Sequence, residues 1–252
     1  MNSAQGSGPK KALVTGASRG IGFSIAEKLL EDGFEVIGTS RTSSFPEEMA
    51  EHTRFSSLRC DMASLDEVKT VIKPLFSDHG SAPDIVVNNA GIAEDCATLS
   101  DEEIWWANWD RTMTVNLHAP CMISKWALEA WSVKEDGILV NIASRAAYRG
   151  DTDDYASYAA SKGGLVAFTK SIARGFGPKN IAAYSIAPGF IDTDMVREAI
   201  PIYGKAHIMK DIMMPELTPP EQVAEIVALL ASGKVKHMTG HTFHVNGGSY
   251  II

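Results

Sequence analysis

The sequence is poor in cysteine, with three in 252 residues: Cys60, Cys96 and Cys121. They are odd in number, scattered and without metal-ligand spacing. They read as small apolar fillers in a reducing compartment, which argues against a disulfide framework. Long apolar runs are also missing, since no stretch approaches the roughly 20 residues needed to span a bilayer. The opening "MNSAQGSGPKK" has no apolar core, so no secretory leader is expected and a cytoplasmic protein is the reading. Basic charge is in deficit, with 23 Lys and Arg against 31 Asp and Glu and a net charge of −8. That balance excludes a general binder of nucleic acid or acidic membrane, while leaving room for a local basic pocket for a small anion. No repeat, low-complexity tract or linker interrupts the chain. One domain is expected over 11–252, after a polar tail at 1–10.

What is present is regular. Apolar runs alternate with helical patterns, and "KALVTG", "FEVIGTS", "RFSSLRCD", "DIVVNNAG", "GILVNIAS", "IAAYSIAPG" and "HTFHVNGG" read as seven strands. The helix pattern "GIGFSIAEKLLEDG" is closed by Gly33, and "SLDEVKTVIKPLF" opens with Ser64 as a cap and Glu67 at the capping-box position. Short apolar strands joined by helical crossovers predict an α/β fold, a doubly wound parallel sheet with helices on both faces. The least regular region, 190–220, follows a strand end and mixes Met, Ile and Pro with charge. A substrate lid fits that composition and position, and a packed helical pair is the plainer alternative.

"TGASRGIG" (Thr15 to Gly22) lies between the first strand and the first helix. Gly16, Gly20 and Gly22 permit a tight turn and close backbone approach, while the helix N-terminus offers unpaired N–H groups to a pyrophosphate. The end of the second strand then chooses the nucleotide. A carboxylate there would bind the adenosine ribose and repel a 2′-phosphate, but the chain reads Ser40 and Arg41, with no acid. Arg41 can pair a phosphate bidentately and Arg19 can approach from the glycine loop, which predicts NADP(H) over NAD(H). Asp61, after the third strand, is placed to accept a bond from the adenine amino group.

"DDYASYAASKGG" raises a choice between two tyrosines. Tyr155 and Tyr158 lie seven and four residues before Lys162, and both separations return to one helical face. Tyr158 is one turn from the lysine, about 6 Å of axial rise, against about 10.5 Å for Tyr155. A neighbouring ammonium favours phenolate and so lowers a phenol pKa. Tyr158 is therefore the acid candidate.

These motifs together resemble the short-chain dehydrogenase/reductase family from about Lys11 onward. The matching stretches are "TGASRGIG", "NNAG", Asn116 in "TVNL", Ser144 in "NIAS", "YAASK" and "APGFIDTDM", and "MTGHTFHVNGG" is similar to the last strand and turn of the family's reductase branch. The resemblance implies a single-domain Rossmann-type fold and a catalytic tetrad of Asn116, Ser144, Tyr158 and Lys162. It further implies cofactor contacts from Gly16, Ser18, Arg19, Gly20, Ile21, Gly22, Ser40, Arg41, Asp61, Met62, Asn89, Ala90, Gly91, Tyr158, Lys162, Pro188, Gly189, Ile191 and Thr193. Ser144 would donate to a substrate oxygen as charge develops there, Asn116 would hold a water that links the lysine to solvent, and the loop 188–193 would carry the nicotinamide. The branch it most resembles is the 3-oxoacyl-acyl carrier protein reductases. A reductase or dehydrogenase for a free small ketone, alcohol, sugar or secondary metabolite is the second reading. A non-catalytic NADP(H) sensor is the third, and the intact tetrad speaks against it.

The chain also departs from the family pattern. The segment from Ser144 to Tyr158 is about one residue longer than is usual in the family and carries Asp151, Asp153 and Asp154, which read as a pocket border or as solvated loop charge. "SDEEIWWANWD" brings Trp105, Trp106 and Trp109, read as helix packing or as a substrate wall or subunit contact. His237, His241 and His244 have no supporting carboxylate, and no metal is expected. Chain length, "SYII" and the tryptophan helices predict a homo-oligomer, and the resemblance implies a tetramer. An acidic acyl carrier protein would dock on a basic surface. The resemblance to the carrier-protein reductases implies arginines on the helix after Asn116 and near the end of the Tyr158 helix. The first position falls at Glu129 here, with Glu135 and Asp136 nearby, and only Lys179, with Arg174 upstream, keeps positive charge near the second. Arg145, Arg149 and Arg197 are the alternative source of a basic patch.

Overall fold

The structure is a computed structural model and describes residues 8–42 and 44–251. The tail expected at 1–10 lies outside the described residues as far as residue 7. The strands are β1 (Lys11–Val14), β2 (Glu35–Ser40), β3 (Phe55–Arg59), β4 (Ile85–Asn88), β5 (Gly137–Ile142), β6 (Ile181–Pro188) and β7 (Thr242–Val245). The helices are α1 (Gly20–Glu31), α2 (Glu47–Ala50), α3 (Leu65–Ile72), α4 (Glu102–Met113), α5 (Ala119–Lys134), α6 (Ala146–Arg149), α7 (Ala156–Phe176), α8 (Asp194–Tyr203), α9 (Lys205–Met209) and α10 (Pro220–Ala231).

All seven strands pair in parallel, in the order β3-β2-β1-β4-β5-β6-β7. Alternation along a strand sends successive side chains to opposite faces. In β1, Ala12 and Val14 join the core under α1 and α10, while Leu13 joins the core under α3 and α5. Both faces of the sheet are covered, which is why the strands read as continuous apolar runs. The chain winds outward in opposite directions from β1 and β4, so the loops after these two strands diverge and leave a crevice at the carboxyl edge of the sheet.

The local signals act as their chemistry dictates. Gly33 takes φ +92, and the N–H groups of Gly33 and Phe34 donate to Leu30 and Leu29 carbonyls at 3.1 and 2.9 Å. The Ser64 hydroxyl accepts from the Glu67 N–H at 3.2 Å. The capping box closes only this way, because the Glu67 carboxylate accepts instead from the Asp61 N–H (3.2 Å) and from Arg59 (3.1 Å). Region 190–220 is built on the helical pair α8 and α9. Its ends are tied by a parallel bridge between Ile191 and Thr218.

Two features escaped the sequence pattern. Between α4 and α5 the helix widens into a π turn, Thr114–His118, an irregularity that concentrates at functional sites. Beneath the carboxyl edge runs a buried polar chain. Asn88 Nδ2 donates to Ser124 Oγ (3.1 Å) and to Asn141 Oδ1 (2.8 Å), and Asn141 Nδ2 donates to Thr169 Oγ1 (2.8 Å). It ties β4 and β5 to α5 and α7, the helix that carries Tyr158 and Lys162. Buried hydrogen-bond networks of this kind help fix one packing arrangement of the elements they join, although Asn88 Oδ1 here has no partner among the described residues. No described helix is long and apolar enough to cross a membrane.

Candidate active site

The crevice is built first by Thr15. Its buried hydroxyl accepts from the N–H groups of Asn89 and Ala90, both at 3.0 Å. Asn89 Nδ2 answers by donating to the carbonyls of Thr15 (2.9 Å) and Gly16 (3.1 Å). The loops after β1 and β4 are thus stitched into one surface. Gly16 takes φ +66, and a Cβ there would stand 3.0 Å from Ala90 Cα. A Cβ on Gly22 would fall 2.1 Å from the Gly16 carbonyl oxygen, so the loop rests directly on the first turn of α1. Arg19 occupies the N-cap position without a side-chain cap bond, and the first turn has no acid. Those N–H groups and the helix dipole suit an anion. Thr15 was not among the sequence candidates, although a hydroxyl at a strand end before a glycine loop is a usable signal.

At the end of β2, the buried Ser40 hydroxyl has no hydrogen-bond partner among the described residues. Arg41 and Arg19 are both exposed. A buried orphan hydroxyl next to the exposed Arg41, with no acid at the strand end, fits a phosphorylated ribose. Asp61 already accepts from the Ala63 N–H at 2.9 Å, and Met62 is buried in the core under α3 and α5. Ser18 is half-buried, and Ile21 packs against the core under α1.

The four candidate catalytic residues converge from the other side. Asn116, on the π turn, is fully buried. Its Oδ1 accepts from the Ile92 N–H (2.9 Å), and its Nδ2 donates to the Ile92 carbonyl (2.9 Å) and to Ser161 Oγ (3.1 Å). Lys162 Nζ donates to the Ile142 carbonyl at 2.8 Å. A Cβ on Gly91 would meet Lys162 Nζ at 3.2 Å and Asn116 Oδ1 at 3.3 Å, so only glycine leaves both groups in place. Ser144, at the carboxyl end of β5, accepts from the Ala146 N–H (3.1 Å), and its hydroxyl lies close enough to the Tyr158 phenol to lower the phenol pKa.

The electrostatics differ from the sequence expectation. Burial raises the Tyr158 pKa, opposed by the Ser144 hydrogen bond and the Arg145 charge and reinforced by Asp151. Lys162 Nζ is 5.9 Å from the centre of the phenol ring, and it is not what sets the phenol's acidity here. Burial also pushes Lys162 itself down to about 8. Tyr155 is placed differently as well. It closes a 3-10 turn, Asp153–Tyr155, at the N-cap of α7 and so stands outside the helical face shared by Tyr158 and Lys162.

On the far wall, the Pro188 carbonyl accepts from the Arg145 N–H (3.0 Å), and Gly189 N–H donates to Val245 (2.9 Å). The Thr193 N–H donates to the Ile191 carbonyl at 2.8 Å, and a Cβ on Gly20 would meet Thr193 Cγ2 at 3.2 Å. The glycine loop and the 188–193 loop therefore face each other across the crevice. Asp153 and Asp154 pin their loop to the segment 96–98, accepting from the N–H groups of Thr98 (3.4 Å, through Oδ2) and Cys96 (2.9 Å, through the carbonyl). Trp105, Trp106 and Trp109 pack on one another with centroids 4.7–6.3 Å apart on a largely exposed α4. The His244 ring lies 4.7 Å from Tyr148, and no group of three His, Cys, Asp or Glu among the described residues could hold a metal ion.

A nucleotide crevice facing a Ser–Tyr–Lys–Asn constellation defines a dinucleotide-dependent oxidoreductase, and comparison with known proteins agrees. Residues 16–250 match the family model described as enoyl-(acyl carrier protein) reductase. The 3-oxoacyl-[acyl-carrier-protein] reductase FabG of Vibrio cholerae is 36% identical over 245 residues, 96% of this chain and 98% of the relative. Among solved structures, a Beutenbergia cavernae protein described as an NAD(P)-dependent gluconate 5-dehydrogenase, with bound NADP, superposes with a TM-score of 0.87 at 27% identity, covering 96% of this chain and 97% of its own. An Agrobacterium tumefaciens protein described as a 2-deoxy-D-gluconate 3-dehydrogenase, also with NADP, gives 0.85 at 30% identity and 96% of each chain. The chain belongs to the short-chain dehydrogenase/reductase family, and it is an NADP-dependent oxidoreductase acting on CH–OH and carbonyl groups.

Lys162 gives a test of the buried charge. Below about 8 it is protonated in both folded and unfolded chains, and between about 8 and its ordinary 10.5 only the unfolded chain keeps the proton. The unfolded state then binds more protons, so this group adds stability as pH rises through that window. Denaturant unfolding of wild type and Lys162→Met should show wild type gaining on the variant from pH 8 to 10.5. A difference independent of pH would show that the lysine titrates normally.

Proposed function

We propose that the chain is an NADPH-dependent carbonyl reductase with Tyr158 as proton donor and Asn116, Ser144 and Lys162 as its partners. The observation that carries this reading is the convergence of Ser144, the Tyr158 phenol and the buried Lys162 beside a crevice that fits a dinucleotide. When bound, the nicotinamide supplies the hydride to the carbonyl carbon. Gly16, Ser18, Arg19, Gly20, Ile21 and Gly22 hold the pyrophosphate side, and Ser40 and Arg41 hold the 2′-phosphate. Asp61 and Met62 border the adenine, Asn89 to Gly91 the inner ribose, and Pro188, Gly189, Ile191 and Thr193 the nicotinamide. The raised phenol pKa keeps Tyr158 protonated at neutral pH, as a proton donor requires. As the substrate oxygen gains charge, Ser144 donates to it and Tyr158 releases its proton. Lys162, with a pKa near 8, restores that proton, and Asn116 links the lysine toward solvent.

The similarity to the 3-oxoacyl reductase supports a β-ketoacyl thioester as substrate. The two gluconate dehydrogenase neighbours favour a second reading, a free small hydroxy or oxo compound. Surface charge speaks against an obligatory acyl carrier protein. Arg145 is buried, Arg149 is paired with Asp151 at 3.5 Å and Arg197 with Asp192 at 2.9 Å, so none of the three adds a free positive charge to a docking patch. The segment around α8 and α9 serves as the lid, and the assembly is a homotetramer.

Removing the Arg41 fork should cost about 1.5–3 kcal/mol of phosphate binding. Arg41→Ala should accordingly raise KM for NADPH far more than KM for NADH, and an unchanged cofactor preference would refute the phosphate assignment. Tyr158→Phe should lower kcat by about two orders of magnitude or more, while Tyr155→Phe changes it only modestly. Equal losses in the two variants would remove Tyr158 from its role. One β-ketoacyl group presented on carrier protein, on coenzyme A and on a short thiol should give similar kcat/KM values. A large carrier advantage that collapses with salt would restore the carrier-dependent role.

A further inference from the structure

Arg145 lies in the site, and the reduction chemistry leaves it without a task. It follows Ser144 directly, precedes α6 and is only 5% exposed. Its N–H is held on the Pro188 carbonyl at 3.0 Å, and its guanidinium covers the Phe190 ring at 4.4 Å from the centroid. The head group is thereby fixed between Ser144 and the 188–193 loop, near enough for its charge to act on the Tyr158 phenol. Its side chain nonetheless makes no hydrogen bond or ion pair among the described residues, and Nη1 is wholly enclosed without a partner. Asp151 and Asp211 act on it only through space. Both are exposed, and Asp151 is paired with Arg149.

A guanidinium cannot escape burial by losing its proton in the neutral range. An enclosed charge forfeits hydration worth several kcal/mol unless a counter-charge and hydrogen bonds replace it. Within proteins such charges are normally paired, and the planar fork of five N–H donors matches a carboxylate. The residue that lacks this partner directly follows Ser144, and its charge reaches the Tyr158 phenol. We propose that Arg145 is a specificity-determining residue that binds a carboxylate on the substrate, and that the preferred substrates are short oxo acids and the corresponding hydroxy acids. The carboxylate lies a few bonds from the reacting carbonyl, because Arg145 and Ser144 are consecutive. This rests on the carbonyl-reductase reading and narrows its substrate class to the free anionic branch.

The test uses 3-oxobutanoate and its methyl ester, which share the reacting carbonyl and differ in charge. Wild type should favour the acid in kcat/KM by about tenfold or more, mainly through KM, since a charge-assisted fork is lost with the ester. Arg145→Met keeps an apolar chain over Phe190 and should reduce that ratio by about tenfold, and Arg145→Lys should restore part of it. A wild-type ratio near one, or an Arg145→Met variant that loses acid and ester activity equally, would overturn the proposal. Calorimetric titration of 3-oxobutanoate into the NADP⁺-loaded protein makes the comparison without turnover. Weaker binding to Arg145→Met supports the proposal, and equal affinities overturn it. Arg145-dependent binding without reduction of either compound would fault the reductase reading alone.

Discussion

The site depends on one buried hydroxyl. Two N–H groups of the β4 loop converge on Thr15 Oγ1, and the Asn89 amide returns two bonds to the β1 loop. Each such bond is worth about 1 kcal/mol net, but leaving one of these groups unpaired in the interior would cost more than that. The stitch spans the point where the winding direction reverses, where adjacent strands send their loops to opposite faces and nothing in the sheet ladder itself restrains them. Closing that gap sets the Gly16 loop against Ala90 and Gly22 against Gly16. It also carries Gly91 to the place where Lys162 and Asn116 meet.

The catalytic side is positioned by backbone carbonyls more than by side-chain pairs. Lys162 rests on Ile142, and Asn116 clasps Ile92 through both amide atoms. Such anchors do not titrate, so geometry is kept while the phenol and the ammonium change charge. Burial disfavours both charged forms at once, holding the phenol protonated and bringing the lysine near neutrality. Their two shifts act in opposite senses, which leaves the phenol holding its proton more tightly than the lysine does.

Much of this was legible in the sequence because the relevant patterns are local. Period and turn chemistry gave the seven strands, the Gly33 stop and the Ser64 cap, and the spaced glycines marked the phosphate loop. What was not legible depended on depth. Tyr158 was expected to be made more acidic by its lysine, yet the direction of its shift is decided by enclosure, which sequence spacing does not report. Arg145 read as surface charge for the same reason. Tyr155 seemed to share a helix with Lys162 because nothing in "DDYASY" fixes where a 3-10 turn gives way to α7. The π turn under Asn116 has no composition of its own, since it arises from how α4 and α5 are forced to meet α7.

The bridge between Ile191 and Thr218 has a further consequence. Because the segment carrying α8 and α9 leaves and rejoins the fold at one point, the cost of closing it is borne by that clasp and grows only slowly with the length enclosed. Further ties run from the N–H groups of Met213 and Met214 to the Gly247 carbonyl, beside β7. Beyond Thr193, length changes in the α8–α9 part of this handle would leave the register of the sheet as it is. The clasp thus sets the sheet and its dinucleotide crevice apart from the α8–α9 segment, whose length is not tied to the register of the strands.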